Sequence, residues 1–156
     1  MNKYTYSLDE IVRLRKLALD IGLEEVEILN TFELTQLADM ANGIGSESMP
    51  SWMRGFVSFL NPSLEPVAFI HDVEWSLEEK SKKHFKESNK RFKKNGHKCA
   101  IYFHGWWNPR RYLVMMQASR FAKICQMFGW KAYLSGKPGK LEDYSCNEAE
   151  LDYETI

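Results

Sequence analysis

From Val67 to Asn95 the chain contains neither glycine nor proline. A stretch that long without a breaker has two outcomes. As one α-helix it is a rod of about 40 Å. As a hairpin it needs a stop supplied by side-chain chemistry alone. One such stop is present: Ser76, with Glu79 three residues on, forms a capping-box pattern. The pattern predicts that one helix ends near Trp75 and another starts just after it. Pro66 suits the first turn of the earlier helix, where its missing N–H is no loss. Gly96 is the expected end of the later one.

The same punctuation organises the rest of the chain. Ser7 and Glu10 make a capping box ahead of Ile11, Leu14, Leu17 and Ala18, which recur at helical spacing and stop at Gly22. Val26, Ile28 and Leu29 predict a short second helix, and Thr31 is a cap for a third that carries Leu34, Leu37 and Ala38. Asn42, Gly43 and Gly45 end that segment with residues that tolerate positive φ. Pro50 and Ser51 introduce an amphipathic stretch that Asn61-Pro62 breaks. Cys99 to Phe103 has strand character in an otherwise helical pattern. Pro109 opens the last long helix, with Tyr112, Met115, Met116, Ser119 and residues 121–128 expected inside and Gly129 closing it. Trp106 and Trp107, beside Arg110 and Arg111, are read as core next to a helix start in preference to a headgroup-layer anchor. The expectation is a mainly α fold: one helical domain over residues 1–140, then an acidic, mobile tail over 141–156.

Composition narrows the function classes. Hydrophobic residues make up 44% of the 156, which is enough for a core without staples. Lysines and arginines equal aspartates and glutamates at 21 each, so the net charge disfavours nucleic acid as a partner. The basic residues between 80 and 98 read as a solvated helix face. Cys99, Cys125 and Cys146 form no CxxC pair, and His97 does not stand at a zinc spacing from Cys99. The expectation is three reduced thiols and a bacterial host cytoplasm, with virion association as the other location. The opening residues carry no secretory h-region, and no apolar run approaches the roughly 20 residues a spanning helix needs.

One constellation carries chemistry. His71 and Trp75 are four apart and share a helix face, while Asp72 points about 100° away. A neutral imidazole can take a proton from water. A carboxylate together with carbonyls of a glycine-rich loop can hold a hard cation such as calcium, and a cation stabilises a developing oxyanion. That set is the minimum for hydrolysing an ester without a covalent intermediate.

"NGIG" (Asn42 to Gly45), "IHDVEW" (Ile70 to Trp75) and "SNKRF" (Ser88 to Phe92), in that order, resemble the active-site pattern of phospholipase A2, above all the short, cysteine-poor versions in phage-like and parvovirus-like proteins. The resemblance spans residues 41–95. It implies two antiparallel helices with a glycine-rich cation loop, to which this chain adds N- and C-terminal helices. It also implies a calcium-dependent hydrolase of phospholipid. His71 would be the base on water, and Asp72 a calcium ligand completed by Asn42, Gly43 and Gly45. Asn89 stands where the family has an aspartate that orients the histidine, Trp75 where it has tyrosine, and Ser46 where the phage-like versions often have proline. An amide accepts a hydrogen bond from imidazole but carries no charge to stabilise imidazolium, and indole is a donor only. A non-catalytic adaptor or inhibitor on the same scaffold is therefore the alternative. Phospholipid or a membrane surface is the candidate partner of the enzyme, and a protein that of the adaptor. His71 and Asn89 are 18 residues apart, which on one straight helix is about 27 Å, so the site exists only if the chain reverses between them.

Overall fold

The computed structural model describes residues 6–41, 61–77 and 80–135. The expected loop ligands Asn42, Gly43 and Gly45, together with Ser46, the stretch after Pro50, Glu79 and the tail 141–156, lie outside the described residues. Within them the chain is helical, with no strand: α1 Leu8–Ile21, a 3₁₀ turn Val26–Asn30, α2 Leu34–Ala41, a 3₁₀ turn Pro62–Leu64, α3 Glu65–Trp75, α4 Lys82–Phe103, α5 Pro109–Phe128 and α6 Trp130–Ser135. The mainly α expectation holds.

The chain does reverse. α3 stops after Trp75 and α4 starts at Lys82. The contacts run in opposite order along the two helices: Trp75 meets Phe85 and Ser88, His71 meets Asn89 and Phe92, and Leu64 faces Gly96. Ser76 makes the break, though in a different way from the one its sequence context predicts. It is the C-cap of α3: its N–H and its Oγ both donate to the carbonyl of Asp72. A hydroxyl that satisfies the last carbonyls of a helix stops it as well as a cap starts one. The N-cap of α4 is Ser81, whose Oγ accepts from the His84 N–H at 3.0 Å. Lys80 Nζ donates to the carbonyl of Trp75, and Tyr133 Oη accepts from the Ser81 N–H at 3.1 Å. The turn is thus tied at both ends.

α4 continues past Gly96 to Phe103, so the expected stop at Gly96 and the strand at Cys99–Phe103 are both corrected. Gly96 serves close packing. A Cβ there would lie 2.3 Å from Ala118 Cβ, so its absence lets α4 and α5 approach where they cross. Phe92 stacks on Phe121, and His97 contacts Ser119. α5 therefore runs back along α4 and completes a three-helix layer. The interior face of α5 is Val114, Ala118, Phe121, Ala122 and Cys125; Tyr112, Met116 and Met127 point outward, against expectation. Trp106 and Trp107 are 60% and 78% exposed, so their assignment to the core is overturned.

α1 closes the other side of α3. Its capping box is fully formed by Ser7 and Glu10, and Gly22 caps it at φ 68°, a conformation that costs glycine little. Thr31 ends the 3₁₀ turn, its Oγ1 donating to Ile28 O, and does not cap α2. Asn95, buried, ties the turn after α1 to α4: its Oδ1 accepts from the Glu24 N–H at 2.7 Å and its Nδ2 donates to Glu24 O at 3.1 Å. Cys99 and Cys125 are buried free thiols, and burial raises the pKa of both, which leaves them unreactive.

Candidate functional site

His71 lies on the face of α3 that α4 covers. Its Nε2 is 3.0 Å from Asn89 Oδ1. A carbonyl oxygen only accepts, so Nε2 carries the proton and Nδ1 is the lone-pair nitrogen. The amide is held in that orientation because its Nδ2 donates to Gln126 Oε1 of α5 at 3.3 Å. Nδ1 has no hydrogen-bond partner among the described residues. The tautomer is thus the one with Nδ1 free to accept.

The ring is 4% exposed and stands in an aromatic box. Its centroid is 4.4 Å from Trp75, 5.1 Å from Phe92 and 6.5 Å from Phe121. Burial lowers the imidazole pKa to about 4, against the raising effect of the Asn89 hydrogen bond, and the charges of Arg91 and His84 lower it further. The imidazole is neutral at pH 7, as a base must be, and weak. Among the described residues no carboxylate forms an ion pair with the ring, whose neighbours are the aromatic rings of Trp75 and Phe92.

Trp75 is buried, and its Nε1–H donates to Ser88 Oγ at 2.9 Å. Ser88 passes the bond on to Phe85 O at 3.0 Å. The indole therefore braces the hairpin and forms one wall of the box. Next to Trp75 in sequence, the buried Glu74 forms an ion pair with the half-buried Arg91 at 2.6 Å. Burial nonetheless pushes Glu74 up to about 7, outweighing the pull of Arg91.

Asp72 is half-buried on the adjacent face of α3. Burial alone raises its pKa well above the usual carboxylate range; among the described residues no hydrogen bond or ion pair lowers it. A desolvated carboxylate without a partner suits a cation. No group of three or more His, Cys, Asp or Glu side chains converges on a point among the described residues. Of the expected calcium ligands only Asp72 lies within the described residues; Asn42, Gly43 and Gly45 are outside them.

His71 and Trp75 share a helix face as their spacing predicted, and the chain reversal that the resemblance required brings Asn89 to His71. Four supporting residues were missed. Ser88 adjoins Asn89, and Arg91 lies two residues beyond it, so both had a local signal in the register of α4. Gln126 and Phe121 reach the site from α5; the helical pattern put 121–128 inside, and nothing in it linked them to His71. No family model, no characterised protein and no solved structure matches the chain.

Proposed function

We propose that the chain is an ester hydrolase of the phospholipase A2 type, with His71 as the base that activates water and Asn89 as the group that fixes its tautomer. The observation that carries the proposal is the contact of His71 Nε2 with Asn89 Oδ1 across the α3–α4 hairpin, with Nδ1 left to receive a proton. Asp72 with Asn42, Gly43 and Gly45 would hold calcium, which when bound polarises the ester carbonyl. The chain's own residues supply the rest. Gln126 orients the amide, the amide orients the ring, and Trp75, Phe92 and Phe121 exclude bulk water from it. With an amide in place of a carboxylate, proton uptake by the ring is less favoured, and turnover is correspondingly slow.

Fatty-acid release from mixed phospholipid–detergent micelles tests the proposal. The expected result is release that requires calcium and stops with a chelator. Release indifferent to the chelator, or none at any calcium concentration, rejects it.

One observation favours a second assignment. The 4% exposure of His71 and its pKa near 4 suit a structural histidine in a non-catalytic interaction protein on the same frame. That assignment predicts that calcium titration produces no saturable change in the spectrum of the protein.

A further inference from the structure

The far end of the α4–α5 hairpin is built unlike the rest of the molecule. Ile101, Tyr102 and Phe103 occupy three successive positions of α4 and are 52%, 52% and 40% exposed. Successive positions step about 100° around a helix, so neighbours are missing on most sides and this end projects from the core. Trp106 and Trp107 follow it in the turn, and Tyr112, in the first turn of α5, is 65% exposed. Exposed apolar residues occur singly on most proteins; a contiguous aromatic tip of this kind marks a contact surface.

Charge decides what the surface meets. The chain is neutral as a whole, but its charges are segregated. From Ser88 to Leu141 there is no Asp or Glu, and residues 88–131 carry ten lysines and arginines. Arg91, Lys94 and Lys98 are engaged by Glu74, Glu24 and the carbonyl of Gly22. Lys90, Lys93, Arg110, Arg120 and Lys123 are exposed and appear in no ion pair among the described residues. Arg111 is half-buried, and its Nε, itself buried, has no hydrogen-bond partner among the described residues. A projecting tip of tryptophan and tyrosine, on a hairpin that from Ser88 onward carries cations and no anions, has the composition of a membrane–water interface anchor.

We propose that this tip docks the protein on anionic phospholipid bilayers, with Trp106 and Trp107 entering the headgroup layer and Arg110 and Arg111 meeting lipid phosphates. Asn89 is about 20 Å along α4 from Phe103, so the tip is separate from the His71 site. As the place where substrate is met the surface rests on the hydrolase assignment; as a lipid-binding surface it stands alone.

The test uses the full chain, a chelator and vesicles of diether phospholipids, which offer no acyl ester. Vesicles are phosphatidylcholine alone or mixed with phosphatidylglycerol, and binding is read by flotation and by the blue shift of tryptophan emission. The expected result is at least tenfold stronger partitioning onto the anionic vesicles. Trp106→Ser with Trp107→Ser, both at exposed positions, is expected to lose tenfold or more, and Arg110→Gln with Arg111→Gln to lose the anionic preference. Melting curves equal to wild type establish that the variants fold. Three results overturn the proposal: no partitioning, partitioning unchanged in the tryptophan variant, or a lipid-independent dimer that the same variant dissolves. Binding to diether vesicles without fatty-acid release from micelles removes the hydrolase assignment and leaves the surface; release from micelles without vesicle binding does the reverse.

Discussion

Asn89→Asp is the substitution that asks most of the site. It places a carboxylate where the amide oxygen lies 3.0 Å from His71 Nε2. The gross attraction between unit charges at that separation is about 5 kcal/mol at an effective dielectric of about 20. Part of it is consumed by burying the new carboxylate beneath α5. Gln126 limits the cost, because rotating its amide presents Nε2 in place of the Oε1 that now accepts from Asn89. A net rise of about one to three units in the imidazole pKa remains, taking it from about 4 toward neutrality. The base is then stronger and its imidazolium has a counter-ion, so fatty-acid release is expected to rise at least about tenfold. The assay is a pair of measurements on wild type and variant: the imidazole titration followed by NMR, and release from mixed micelles. If the variant folds but His71 titrates where it does in the wild type, the ring and residue 89 are not in contact and the construction of the site is refuted. If the pKa rises and turnover does not, the site is sound and the hydrolase assignment is not.

Two further predictions concern stability. Gly96→Ala forces apart the α4–α5 crossing, because its Cβ would sit 2.3 Å from Ala118 Cβ and 3.3 Å from Leu64 Cδ2. Urea unfolding should show a net loss of about 1–3 kcal/mol despite the better helix propensity of alanine. Glu74→Gln should change the pH dependence of stability. His71 has a folded pKa near 4, below its unfolded value, so its contribution falls as pH drops from about 6.5 toward 4. Glu74 is raised to about 7, so its contribution falls in the opposite direction, as pH rises from about 4.5 to 7. The two oppose each other in the wild type. Without Glu74, stability should drop by an additional 2–3 kcal/mol or so between pH 6.5 and 4.5 relative to wild type. An unchanged slope would mean that Glu74 is not desolvated. Only the slope is read, because the substitution also removes the ion pair with Arg91.

Local chemistry was legible where its partners are close in sequence. The Ser7–Glu10 box, Gly22, Pro66 and Pro109 each did what their residue types dictate over a few positions. The break was legible in part, because Ser76 marked a stop that no glycine or proline supplied, although it caps the end of α3 and Ser81 the start of α4. Gly96 was misread because glycine has two uses, ending a helix and admitting a neighbour. Only the position of Ala118, a residue on another helix, decides between them. The outward turn of Tyr112 and Met116 and the exposure of Trp106 and Trp107 were hidden for a related reason. Aromatic residues near a helix start look the same in sequence whether or not another element arrives to cover them. At the site, His71, Trp75 and Asn89 stood in a recognisable order, but Gln126 and Phe121 come from α5 and leave no mark on the α3–α4 segment.

The central claim is that the Nδ1 of His71 receives a proton from water. It is tested most directly by comparing calcium-supported fatty-acid release by wild type and by His71→Gln, whose amide fills a similar space, with matched melting curves as the control for fold. The account predicts release by the wild type and a loss of about a hundredfold or more in the variant. Equal release by the two proteins would contradict it.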